Sequence, residues 1–174
     1  MRERLISRNV DLIRQGADLL AGIDAAAYAR REERTDSAAI GEHVRHCIDF
    51  YRCFLRGAPD GRVNYDDRDR DERVERDLPW ARRCLDEIAA RFTELDVEAL
   101  PESVTVRMDA SGPRSGDWAP STPERELQFL ASHTVHHYAI VALQLRLAGA
   151  SPPRTLGVAE ATLRHWESPA DRAG

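Results

Sequence analysis

Residues 121–153, "STPERELQFLASHTVHHYAIVALQLRLAGASPP", contain a helix with both ends marked. Ser121 or Thr122 supplies the N-cap, an oxygen that accepts from a backbone N–H left free in the first turn. Pro123 suits a first turn, where its missing N–H costs nothing, and Glu124 and Glu126 offset the positive end of the helix dipole. Gly149 and the "SPP" behind it stop the helix. In between, Phe129, Leu130, Ile140, Val141, Leu143 and Leu147 recur at helical spacing and predict one wide apolar face. His133 and His137 fall at its centre, one turn apart, with His136 on its shoulder. Three of the chain's six histidines lie within five residues, where leucines would serve a core better.

Three further segments carry the same periodicity. The first runs from about Arg4 to Arg30 on Leu5, Ile6, Val10, Ile13, Ala17, Leu20 and Ile23. The second runs from Ser37 to Gly57 on Ile40, Val44, Cys47, Ile48, Tyr51 and Leu55. The third runs from about Arg70 to Leu95. Within it Pro79 either kinks the helix or, with Asp77, marks its true start. Four long helices predict an all-α chain folded as an antiparallel four-helix bundle, one domain over residues 1–174. "VTVRMDASGPRSGDWAP" (104–120) alternates and turns on Ser-Gly-Pro, which predicts a short hairpin before the last helix. "LGVAEATLRHW" (156–166) predicts one short helix packed on the bundle. The charged stretch 57–71, "GAPDGRVNYDDRDRD", reads as a solvated loop.

Composition excludes several kinds of function. A net charge of -5 offers nothing to nucleic acid or an anionic membrane. No apolar run reaches the roughly 20 residues of a membrane span. The start, "MRERLISRNVDLIRQ", is amphipathic and charged rather than a signal peptide, so the expected location is cytoplasmic. All 25 basic residues are Arg, which removes Schiff-base, P-loop and kinase-type lysines. Cys47, Cys53 and Cys84 form no CxxC and read as reduced cysteines, not a disulfide or zinc framework.

Chemistry therefore centres on histidine. Imidazoles at i and i+4 can converge on one metal ion. The bland reading is a pair of buried neutral rings, each costing roughly 1–3 kcal/mol if left without a hydrogen-bond partner; a metal removes that cost. A third ligand is available in "GEHVRHCIDFY" (41–51), where His43 and His46 lie one turn apart. Periodicity puts His43 nearer the apolar stripe and His46 on a flank beside Phe50, so the choice stays open. Asp49, one turn from His46, is either a carboxylate that orients a ligand ring or a surface acid. Tyr65, Asp66, Arg68 and Arg70 are candidates to bind a polar substrate, against the plainer reading of a salt-bridged loop. His165 reads as a surface residue.

The pattern H-x-x-D on the second helix with H-x-x-H-H on the last resembles the DinB/YfiT-like superfamily of four-helix metalloproteins. "IGEHVRH", "NYDDRDRD", "SHTVHHYA" and "LGVAEATLR" are similar to one branch of it. The resemblance implies ligands at the His opening H-x-x-D and at the first and last His of H-x-x-H-H, that is His46, His133 and His137, with His43 on the shoulder. It implies an open coordination position on Zn or Ni, since imidazole suits both. It further implies a homodimer and chemistry with a low-molecular-weight thiol co-substrate, as an S-transferase or a hydrolase on a small molecule. The rival reading is a non-catalytic metal-binding or stress-response module.

Overall fold

The computed structural model describes residues 1–31, 38–108 and 118–168. The helix predicted over Arg4–Arg30 is two helices, α1 (Arg2–Ala21) and α2 (Ala25–Ala29). Gly22 closes the first, and Asp24 starts the second by accepting from the Ala27 N–H at 2.8 Å. The next long helix, α3 (Ile40–Gly57), begins where the Glu42 carboxylate accepts from the Ala39 N–H at 2.6 Å. The Arg70–Leu95 segment is likewise divided, into α4 (Glu72–Arg76) and α5 (Leu78–Thr93). Asp77 caps α5 through the Trp80 N–H at 2.9 Å, and Pro79 sits in its first turn. Of the two readings of Pro79, the start of a helix is the one realised. Finally, α6 (Pro123–Leu147) is capped by Thr122 rather than Ser121, and α7 (Glu160–Glu167) follows. Arg8 pairs with Glu160 at 3.2 Å and ties α7 to α1.

Strand β2 (Val104–Arg107) runs antiparallel to β3 (Ala119–Ser121), with Val104 opposite Ser121 and Val106 opposite Ala119. The Ser-Gly-Pro turn expected between them lies outside the described residues. The stretch read as a solvated loop contributes a third strand, β1 (Arg62–Asn64), parallel to β2. It is built around Val63, which is fully buried.

Helix α1 packs on α5 and α6, and α3 packs on the same two helices. The shared core includes Ile13, Leu20, Ile48, Phe54, Leu85, Ile88, Phe92, Leu127 and Leu130. Gly16 matters at one crossing: a Cβ there would stand 2.1 Å from the Tyr138 hydroxyl, so only glycine lets α1 approach α6 at that point. A buried polar chain joins three helices. Thr134 of α6 donates to the Tyr51 hydroxyl at 3.0 Å, Tyr51 donates to Asn9 Oδ1 at 3.0 Å, and the Asn9 amide donates to the Leu5 and Leu127 carbonyls. Every group in it is paired, so its hydrogen bonds offset the cost of desolvation while it fixes helix register. The three cysteines are free and buried. Burial pushes the Cys47 thiol up to about 12 and Cys53 up to about 11. Among the described residues, no helix is long and apolar enough to cross a membrane.

Candidate metal centre

The buried face of α6 shares Leu130 and Val141 with the face that periodicity outlined but is rotated from it. Leu127, Leu130, Thr134, Tyr138, Val141 and Leu145 face the core, whereas Leu143 is 53% exposed. His133 and His137 lie on the edge of this face, about 70–110° round the helix from its centre at 100° per residue. That edge looks onto α3, where His46 faces them. His46, not His43, is the α3 imidazole whose ligand atom joins those of His133 and His137, all within 4.8 Å of one another.

The contacts are specific. His133 Nε2 lies 3.2 Å from His46 Nε2 and 3.2 Å from His137 Nε2. A neutral imidazole nitrogen offers either one N–H or one lone pair. His133 Nε2 therefore satisfies one of those neighbours at full strength and not both. A cation at the shared point accepts all three lone pairs at once. Two nitrogens bound to one zinc at about 2.0–2.1 Å with tetrahedral angles stand about 3.3–3.4 Å apart, close to the spacing seen. Two of the three nitrogen pairs thus have the spacing that a shared divalent ion calls for, and all three nitrogens lie within 4.8 Å of one another.

Electrostatics favours the neutral, ligating form. Burial holds His46 down to about 4, reinforced by His137, Arg68, Arg45 and His43. Burial and then His46 bring His133 to about 4, and burial and then His133 bring His137 to about 3. No proton has to be displaced near neutrality before a metal binds.

Around this cluster the remaining candidates fall into place. His43 stands behind His137, with Nδ1 to Nδ1 at 3.0 Å, and its own Nε2 is buried with no partner among the described residues. His136 is exposed, its ring 5.3 Å from that of His137. Asp49 makes no hydrogen bond to His46. Its carboxylate accepts from Arg45 at 3.0 Å and from the Arg70 N–H at 3.3 Å. Arg45 also binds Glu75 at 2.8 Å, so Asp49 and Arg45 clamp α3 to α4 and to the charged segment. That segment is fastened further by Asp69 to Arg56 and by Asp66 to Arg107. It delivers Tyr65 and Arg68 beside the histidines. Tyr65 is buried, stacks on Phe50 at 5.1 Å, and has its hydroxyl held protonated by burial and by the Glu126 carboxylate.

The aromatic wall was only partly legible: periodicity sets Phe50 beside His46, but the pairing of Phe50 and Phe129 around His133 was missed. Phe50 lies 4.4 Å from the His133 ring and 4.8 Å from His46, and Phe129 lies 5.5 Å from His133. The signal was present: Phe50 follows His46 by four residues and Phe129 precedes His133 by four, the spacing that stacks side chains along a helix.

The DinB superfamily model matches residues 13–141. The chain belongs to the DinB superfamily. The matched span begins within α1 and ends in α6, and so contains all three clustered histidines. No curated protein and no solved structure matches the chain. Family membership and the three-His cluster are together compatible with a metal-binding protein.

Proposed function

We propose that this DinB protein is a metal-dependent enzyme that uses His46, His133 and His137 to hold a divalent ion and acts on a small molecule, by thiol-dependent S-transfer or hydrolysis. The observation that carries it is the approach of three neutral imidazole nitrogens to one point, with no carboxylate in the set. Three protein ligands leave a coordination position free, the arrangement of catalytic rather than structural sites. When bound, a divalent ion there lowers the pKa of a coordinated thiol or water and so supplies a nucleophile near neutral pH.

The chain's own residues do the remaining work. If His137 ligates through Nε2, its proton sits on Nδ1 and is donated to His43 Nδ1, which fixes ring and tautomer together. Phe50, Tyr65 and Phe129 form a dry wall beside His133 and limit access of water from that side. The packing of α1 and α3 on α5 and α6 supports reading the four long helices as an antiparallel bundle, and a core continuous from Ile6 to Leu156 supports a single domain. The expected homodimer belongs to the same proposal; light scattering should give about twice the 19.6 kDa chain mass, and a monomeric mass rejects it.

The test is removal and return of the metal. Chelation should abolish turnover of thiols with electrophiles, or hydrolysis, while leaving the helical signal intact, and zinc or nickel should restore it. Cooperative unfolding on chelation, or activity that ignores the metal, overturns the proposal. A loaded protein inert to thiols, electrophiles and esters alike favours a binding module instead.

A further inference from the structure

Arg68 is a cation beside the cluster that no acid among the described residues neutralises. Its guanidinium carbon lies 5.7 Å from the Phe50 ring centre, and Phe50 lies 4.4 Å from His133. The guanidinium is therefore no more than about 10 Å from that imidazole. Its Nε is buried without a hydrogen-bond partner, and the side chain forms no ion pair among the described residues. The nearby acids are already engaged: Asp49 by Arg45, Asp66 by Arg107, and Asp69 by Arg52 and Arg56. Asp67, its neighbour in sequence, is exposed and forms no ion pair with it. A buried Nε in this state forgoes one of the strong charge-assisted hydrogen bonds that a guanidinium is built to make.

The other partner to the imbalance is the metal centre. Three neutral imidazoles cancel none of the charge of a divalent ion, and the cluster contains no carboxylate. Arg68 adds further positive charge a short distance away, against the same Phe50 ring that meets His133. The Phe50 ring supports the guanidinium weakly, as a cation–π contact does, without neutralising it. What both positive centres lack is an anion.

We propose that Arg68 binds an anionic group of the molecule that reaches the three-His centre, so that the thiol or substrate carries a carboxylate or similar anion a few carbons from its reacting atom. The inference rests on the metal-centre reading above. Arg68 takes the anion through its planar N–H fork, and the reacting sulfur or oxygen is directed toward the free coordination position. The molecule is thereby held at two points, which fixes its orientation.

Cobalt(II)-loaded protein tests this without knowledge of the natural substrate. Mercaptoacetate carries thiol and carboxylate together, and 2-mercaptoethanol carries the thiol alone. Their affinities are read from the sulfur-to-cobalt absorption band. The wild-type protein should prefer mercaptoacetate by at least about tenfold, the scale of one well-placed charge-assisted contact. Arg68→Gln should bring the ratio to near one, leave 2-mercaptoethanol binding little changed, and leave cobalt binding equal or slightly tighter, since a nearby positive charge is gone. Arg68→Lys should retain part of the preference. A wild-type ratio near one overturns the inference and requires no variant. So does a preference that survives in Arg68→Gln. If the protein binds no cobalt, the metal-centre reading fails and this inference fails with it; if cobalt binds without a preference, only this inference fails.

Discussion

His133→Ala separates the metal account from ordinary packing. His133 Nε2 is the one nitrogen in contact with both other clustered rings, 3.2 Å from each. Its removal leaves His46 and His137 on opposite helices without the ring between them. Loss of a group that merely orients a ligand costs about 10–100-fold in metal affinity, so loss of the ligand itself should cost on the order of 100-fold or more. At free zinc 100 times the wild-type Kd, binding stabilises the wild type by about 2.7 kcal/mol. For a chain of this size that raises Tm by about 5–10 °C. At the same zinc the variant has a ratio of about one or less, which gives about 0.4 kcal/mol and about 1 °C. The metal-free variant should remain folded, with a loss of about 1–2 kcal/mol from the contacts of a half-buried ring to Phe50 and Phe129. Melting followed by circular dichroism in zinc-buffered solution gives all four values. A zinc-induced shift in the variant close to that of the wild type refutes the reasoning.

Three further outcomes follow from other parts of the molecule. His43→Leu removes the acceptor at His137 Nδ1 and should weaken zinc binding about 10–100-fold in a competition titration, whereas an exposed change such as His136→Leu should alter it little. Tyr51→Phe leaves the buried Asn9 Oδ1 and Thr134 hydroxyl without their partner and should cost about 2 kcal/mol in urea unfolding, with zinc affinity unchanged. In the metal-free protein the clustered imidazoles titrate lower when folded, at about 3–4, than when unfolded. Stability is therefore full above about pH 6.5 and falls as pH drops toward 4, because the unfolded chain binds protons first, by on the order of 1–2 kcal/mol per imidazole between pH 7.5 and 5. A urea midpoint that falls equally in a His133→Ala, His137→Ala double variant contradicts this.

Much of the fold was legible because helix ends are chemical signals. The capping oxygens of Thr122 and Asp77, each followed by a proline, mark α6 and α5 in sequence and in structure alike. The break after Ala21 was hidden because the apolar spacing continues across it to Ile23. There, capping by Asp24 overrides periodicity. Strand β1 was hidden by its charged surroundings: three residues with one buried side chain give no alternation to read. The histidines were recognisable as a set, but their exact seating was not. Residues three apart differ by only about 60° around a helix, too little for periodicity to separate His43 from His46. The choice depends on how α3 is rotated against α6, which is set by contacts distant in sequence. Arg68 stood out in sequence only as one of four candidates in a charged stretch; what singles it out is which acids the fold has already paired.

The most direct test of a three-His centre is X-ray absorption at the metal edge of zinc- or cobalt-loaded protein. The account predicts three imidazole nitrogens at about 2.0–2.1 Å plus an exchangeable ligand that becomes sulfur when a thiol is added, with one imidazole fewer in His46→Ala and no change in imidazole number in His43→Ala. A coordination shell with fewer than three imidazoles, or one that loses an imidazole with His43 and keeps it with His46, would contradict it.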